Sequence, residues 1–374
     1  MRRTTRPDLD FAAVIDRLGG ADHLEAEARE TGAFRRARVV KNAVDMLRIV
    51  LGYCLGSEGL RLTAAWAEAI GLASVSNVAV LKRVRNAVPW LEVLVARMLV
   101  ATQPAGVPRV RSLTGTRPIR LVDGTVVAKA DRASRDAGGV WRVHAVWNLN
   151  EERFSVFELT DEKEGERLDR AAVIAGEIRI ADRAYLQPER IARVLAAGAD
   201  VIVRAPWNGA RWLDADGTSV DMTRLLALTP RNRIVIDQPI WMGLPGGDRA
   251  GVRLVAPRKP PEAVKKSLEK VFAEAARRGT TPQPGTVAAA EWLILVTSLP
   301  KAEYRAGAIG DLYRLRWRIE VAFKHLKSGV GLSPPPGADP AMAKAHVLSH
   351  LLLSLLTEPL LIEHLGDSPR LAAA

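Results

Sequence analysis

Between Leu312 and Lys327 one run of sequence has to meet two demands at once. At about 100° per residue on an α-helix, Tyr313, Arg316, Glu320 and Lys327 share one narrow stripe, the last three at roughly −60°, −20° and −40° from the first. Leu312, Leu315, Ile319, Phe323 and Leu326 form a second stripe beside it, roughly 80° wide. One face of the predicted helix therefore belongs to a core. The edge of that face carries a carboxylate among a phenol, a guanidinium and an ammonium. A lone carboxylate flanked by cations suits a site that holds a metal ion and a polyanion together.

Two aspartates come directly after apolar runs. Asp123 lies in I-R-L-V-D-G-T and Asp182 in I-R-I-A-D-R-A-Y, each where a strand is expected to end. A carboxylate at a strand end is exposed at the sheet edge, where catalytic groups commonly sit. Taken singly, each also reads as a turn-forming aspartate, Asp123-Gly124 above all. With Glu320 on a helix packed against the sheet, the three can converge on one point. A set of three carboxylates favours hard, oxygen-preferring ions, Mg²⁺ or Mn²⁺. Two such ions can serve an in-line displacement at phosphorus.

The rest of the chain fits a polyanionic partner. The net charge is +12 and the pI near 10.2, which points to nucleic acid, although an arginine-rich proteome would give a similar balance. Cys54 is the single cysteine, so one chain supports neither a disulfide framework nor a thiolate zinc site, and a reducing, cytoplasmic setting is expected. The N-terminus lacks an apolar secretory core. The apolar run Val347 to Ile362 is interrupted by His350, Glu358 and Pro359 and reads as a buried helix, not a membrane span. His346 and His350 have metal-ligand spacing there, but without a third ligand they read as ordinary polar helix positions.

At 374 residues the chain is expected to divide. Residues 1–104 read as an all-helical domain, with a long periodic stretch from Phe34 to Leu55 and an N-cap region at Ser74 to Asn77. Arg35, Arg36 and Arg38 form one basic cluster and Lys82, Arg83 and Arg85 another. Both suit contact with a DNA backbone, or simply a solvated helix face. Residues 105–206 read as a mixed α/β core, with strands at 118–127, 143–149, 153–159, 178–181 and 200–204, and helices at 167–175 and 188–197. Residues 207–290 read as a β-rich insertion. Residues 291–337 return to the core with a strand at 291–298 and the glutamate helix, and 338–374 form a C-terminal helix.

The D-G-T, the A-D-R-A-Y and the Y-x2-R-x3-E-x6-K pattern together resemble the DDE transposases of the bacterial insertion sequence four family, from about Phe34 to Leu332. E-W-L-I-L-V-T-S-L-P, ahead of the glutamate helix, is also similar to that family. The resemblance implies an α/β, ribonuclease H-like catalytic core with a β-rich insertion, and cut-and-paste chemistry dependent on two Mg²⁺ (or Mn²⁺) ions. It makes Asp123, Asp182 and Glu320 the metal-binding catalytic triad. Tyr313, Arg316 and Lys327 become DNA contacts, and Trp292 a platform for a flipped base, although Trp292 also reads as a core aromatic. Implied partners are double-stranded DNA, as terminal inverted repeats and target, and a second copy of the chain in the DNA complex. No membrane association is implied, and the protein would be cytoplasmic and nucleoid-associated when bound to DNA. The stretch after Glu320 is shorter than in longer members, which pair subunits through an extended helical C-terminus. The alternative reading is a domesticated or inactive ribonuclease H-like nuclease or DNA-binding protein.

Overall fold

The structure, a computed structural model, describes residues 11–56, 58–101, 117–128, 140–150, 153–160, 164–317, 319–320, 323, 335 and 339–365. Six helices open it: α1 (Phe11–Arg17), α2 (Ala21–Glu30), α3 (Ala43–Leu55), α4 (Leu60–Ala69), α5 (Asn77–Asn86) and α6 (Val88–Ala101). The Ser76 hydroxyl caps α5 by accepting from the Ala79 amide at 3.2 Å, as the sequence suggests. The stretch expected to run from Phe34 becomes helical only at Ala43. Asn42 stops it there, because its side chain accepts from the Asp45 amide at 2.7 Å and so takes the N-cap position.

Among the described residues nine strands follow, with helices between the later ones: β1 (Ile119–Ala128), β2 (Val140–Asn148), β3 (Arg153–Thr160), β4 (Ile178–Ala181), β5 (Asp200–Arg204), β6 (Trp212–Leu213), β7 (Val235–Gly243), β8 (Arg249–Pro257) and β9 (Leu295–Thr297). They form one mixed sheet in the order β3-β2-β1-β4-β5-β9-β8-β7-β6. β1, β4 and β5 run parallel, and the other neighbours pair antiparallel. Period-two alternation divides the strand residues between two cores. Ile119, Leu121, Ile178, Ile180, Ile202 and Leu295 face one core, together with the buried residues of the N-terminal helices. Val122, Ala181, Val201, Val203 and Val296 face the other. Helices α7 (Pro188–Ala196) and α8 (Met222–Leu228) pack on that second face; α9 (Pro261–Arg277) and α10 (Pro284–Ala290) lie between β8 and β9 in the chain.

Two further helices cover the first face. α11 (Ala306–Arg314) lies against β4, β5 and β8. α12 (Pro340–Leu365) packs on α3, α5, α6 and β3, burying Leu348, Leu351, Leu352 and Leu355. The apolar face of the N-terminal helices is thus completed from the other end of the sequence.

One expected helix is absent. Residues 167–175 form turns and irregular chain, because their carbonyls are taken by arginines from the sheet. The Arg179 guanidinium, fully buried, donates to the carbonyls of Leu168, Ala171 (2.9 Å) and Ala172 (2.8 Å). Arg120 also donates to Ala172, at 3.1 Å. Glu177, itself fully buried, pairs with both: its carboxylate lies 2.6 Å from Arg179 Nε and 3.0 Å from Arg120 Nε. Removing one member of such a cluster strands the others without a counter-charge. Glu177→Ala should therefore cost about 3–5 kcal/mol in denaturant unfolding. A loss under about 1 kcal/mol would mean that the cluster does not fix this loop.

Candidate active site

The parallel register builds the site. The last β1–β4 pair is Val122↔Ala181, and Asp123 and Asp182 each come one residue later. They share the parity of Leu121 and Ile180, so they stand side by side on the sheet face covered by α11. Asp182 comes directly after β4, as expected. Asp123 does not end its strand: β1 continues to Ala128 against β2, and only its pairing with β4 stops. Asp123 thus lies at a step in the sheet, where one neighbouring strand has ended and the other has not.

The helix meets the two aspartates from above. Leu312, Leu315, Ile319 and Phe323 are buried against the first core, as the stripe requires. The expected single helix tightens in its middle. The amides of Leu315 and Arg316 donate to carbonyls three residues back, Leu312 (3.1 Å) and Tyr313 (3.0 Å), and α11 ends at Arg314. Three-residue spacing eclipses side chains, which stacks Arg316 over the Tyr313 ring at 5.6 Å from its centroid. The Tyr313 hydroxyl donates to Asp182 Oδ1 at 3.5 Å. The largely buried Arg316 guanidinium spans two carboxylates. One amino group lies 3.4 Å from Asp123 Oδ2, and the other pairs with Glu320. Among the described residues, no three histidine, cysteine, aspartate or glutamate side chains gather closely enough to hold a metal ion; a guanidinium stands between Asp123 and Glu320. Lys327 and Leu326 lie outside the described residues.

Electrostatics mark Asp123 as the strained member. Burial pushes its carboxyl up to about 6. Arg316 and the Gly124 amide, which donates to Oδ1 at 2.9 Å, oppose that rise, whereas Asp182 and Glu166 add to it. Burial also raises the Tyr313 phenol, against the influence of Arg316.

Glu166 belongs to none of the sequence motifs. It lies beneath Gly124, on the other side of β1. A Cβ at Gly124 would meet Tyr185 Oη at 3.2 Å and Glu166 Oε1 at 3.3 Å. Glu166 pairs with Arg142 at 3.2 Å, and its backbone carbonyl accepts from Gln187 at 2.9 Å. Tyr185, two residues after Arg183 in the A-D-R-A-Y motif, is buried there, and burial with the charges of Asp123 and Glu166 raises its phenol. The hint available in the sequence is glycine after Asp123: a close approach and not only a turn.

The other candidate residues are scattered. Arg35, Arg36 and Arg38 are exposed, on the chain leading to α3. Lys82 is exposed, whereas Arg83 donates to the Ala79 carbonyl at 3.1 Å. Arg85 pairs with Asp339, whose other oxygen accepts from the Ala341 amide at 2.9 Å at the start of α12. Trp292 is 2 % exposed in the second core, and Arg258 covers its ring at 4.1 Å from the centroid. The structure does not bring it to the face of Asp123 and Asp182. His346 and His350 are buried in α12 with ring centroids 4.2 Å apart. Among the described residues no helix is long and apolar enough to cross a membrane.

Asp123, Asp182, Tyr313, Arg316 and Glu320 thus form one group of acids and donors on a mixed sheet in a basic protein. A family model described as the transposase DDE domain matches residues 114–356. The transposase for insertion sequence element IS421 of Escherichia coli is 38% identical over 371 residues, covering 98% of this chain and 97% of that protein. InsL of insertion sequence element IS186A, from Escherichia coli K12, is 38% identical over 370 residues with the same coverage. A chain of the Drosophila P element transposase strand transfer complex aligns over 92% of this chain and 85% of its own length, at 10% identity. Its TM-score of 0.20 is too low to support an argument. The chain belongs to the DDE transposases, in the insertion sequence four family. It is a DNA transposase, an enzyme that cleaves DNA and transfers its strands, and the reading as a domesticated binding protein is not favoured.

Two outcomes test this geometry. Gly124→Ala should push on Tyr185 and Glu166, destabilise the fold by about 1–3 kcal/mol and slow cleavage more than it weakens DNA binding; unchanged cleavage would detach Glu166 and Tyr185 from Asp123. The second concerns pH. Folding raises the Asp123 carboxyl, so the folded state holds that proton more tightly. The resulting stabilisation is complete below about pH 4 and is lost as pH rises through about 6. In chelator, Asp123→Asn should therefore gain on the wild type by up to about 3 kcal/mol between pH 4 and 7. A stability difference independent of pH would refute the buried-carboxyl assignment.

Proposed function

We propose that Asp123, Asp182 and Glu320 are the catalytic carboxylates of this transposase and that they hold two Mg²⁺ or Mn²⁺ ions. The observation that supports this reading is the convergence of the three chain segments. Two aspartates stand one residue past the same paired row of β1 and β4, and Arg316 bridges from Asp123 to Glu320. The donor set fits hard cations, since it is made of carboxylates. Asp123, raised by burial and by neighbouring acids, is a group that added positive charge would relieve. When bound, such ions activate an attacking oxygen and stabilise the leaving one at phosphorus.

The chain's own side chains then position the DNA. Arg316 exchanges its carboxylate partners for a phosphate, which its planar fork suits. Tyr313 offers its hydroxyl to a phosphate oxygen, and Lys327, seven residues after Glu320 in the sequence, offers a cation. The exposed Arg35, Arg36, Arg38 and Lys82 hold the backbone of the element's ends, with residues 1–104 as the recognition module. The catalytic part is a ribonuclease H-like core formed by residues 105–206 and 291–337, interrupted by 207–290. Two copies act together on the terminal repeats and the target, in the bacterial cytoplasm. Stacking of a flipped base on Trp292 requires Arg258 to leave the indole face first.

The test uses a DNA fragment carrying the gene's flanking ends, with Mg²⁺. Asp123→Ala, Asp182→Ala and Glu320→Ala should each slow end cleavage by roughly 10³-fold or more, with end binding preserved within a few-fold. A variant that cleaves at the wild-type rate removes that residue from the triad.

A further inference from the structure

Two residues past Asp123, β1 buries a hydroxyl that the fold does not use. Thr125 shares the parity of Leu121, Asp123 and Val127, so its side chain leaves the sheet on the face of the two aspartates. It is 4 % exposed, and its Oγ1 is buried without a hydrogen-bond partner. The other buried threonines among the described residues both have one. Thr63 Oγ1 donates to the Gly59 carbonyl at 3.3 Å, and Thr297 Oγ1 accepts from the Leu299 amide at 3.1 Å. Apart from Asp123, the strand neighbours of Thr125 on this face are apolar: Val127 on β1, Val143 and Ala145 on β2. On the other flank β4 stops pairing with β1 at Val122, so no strand lies beside Thr125 there. Valine has the same shape, suits a strand and would bury no unmade hydrogen bond. The hydroxyl thus weakens the fold where it stands, as groups kept for a reaction do.

A second polar atom on this face is left over. Arg316 spends its two amino groups on Asp123 and Glu320, whereas its Nε is buried without a partner. Asp123 accepts at Oδ1 from the Gly124 amide at 2.9 Å, but its Oδ2 lies 3.4 Å from Arg316, long for a charged pair. A phosphate oxygen only accepts, and asks for donors such as Arg316 and Tyr313. A water must also place two hydrogens, and it needs roughly two to four polar partners in all. Thr125 Oγ1 and the Asp123 carboxylate are acceptors, and Arg316 Nε is a donor, so this set suits a water.

We propose that the Thr125 hydroxyl orients, beside Asp123, the water that attacks the scissile phosphorus. The inference rests on the triad reading above. The water oxygen bonds to phosphorus as the bond to the leaving ribose oxygen breaks. One proton of the water reaches the leaving oxygen through solvent, making it a hydroxyl, and the other goes with the new terminal phosphate. Strand transfer differs in one respect: the attacking oxygen is the hydroxyl of the cut DNA end, which the duplex already holds in place. Thr125 should therefore matter to hydrolysis and little to transfer.

The experiment uses the full chain with Mg²⁺ and two substrates, an uncut duplex bearing the DNA end that flanks the gene and the same end already cut to its 3′ hydroxyl. Thr125→Val should melt no lower than the wild type in chelator and slow nicking of the uncut end about tenfold or more. It should leave strand transfer by the pre-cut end within a few-fold of the wild type. Thr125→Ser keeps the hydroxyl and should nick almost as the wild type does. Should Thr125→Val fail to fold, Thr125→Ala against Thr125→Ser makes the same comparison. Wild-type nicking by Thr125→Val, equal slowing of nicking and transfer, or loss of nicking in Thr125→Ser would overturn the proposal. Asp123→Ala, assayed in parallel, separates the two readings: full activity there would refute the triad, whereas an indifferent Thr125 refutes only the water assignment.

Discussion

The parallel hydrogen bonding of β1, β4 and β5 is the constraint on which the rest depends. It sets Val122, Ala181 and Val203 in one row, and the residue after each of them lies on the same side of the sheet. The row is held because the strands are apolar on both sides. A slip of one residue would turn Ile178 and Ile180 out of the first core and Ala181 out of the second, inverting every side chain. A slip of two would keep the faces but displace Asp182 from Asp123 by ~6.6 Å. Burial on both faces thus converts hydrophobic energy into the placement of charge.

Beneath that surface a second device works by depriving a segment of its helix. Arg179 and Arg120 occupy the carbonyls of the chain before β4, with Glu177 between them. A buried ion cluster adds little net stability over an apolar one. Here it supplies a path: the chain is drawn under the sheet, and Glu166 comes to lie below Gly124 and Asp123. The acidity of Asp123 is consequently shaped from both sides of β1.

Much of this is legible in the sequence, and the rest is hidden for identifiable reasons. The strands show as apolar runs, and Asp182 follows the end of one; Asp123 reads the same way but lies inside β1, because pairing with β2 carries that strand on to Ala128. The buried leucines around Tyr313 come from helical periodicity. The 167–175 segment reads as a helix because the arginine that unwinds it lies outside the window that periodicity covers. Arg85 is legible as a cation, but its partner Asp339 lies far along the chain. Trp292 shares the parity of Ile294 and Val296, which line the second core, so its burial there is written in the alternation.

The helical layer closed by α12 has a bearing on how the protein is made. Helices α3, α5 and α6 leave the ribosome first, yet the leucines that cover them are among the last described residues to be synthesised. At typical elongation rates that interval is on the order of ten seconds or more. Throughout it the nascent helices present a sticky flank that invites chaperone capture. A product truncated before α12 keeps that flank permanently open and is exposed to proteolysis.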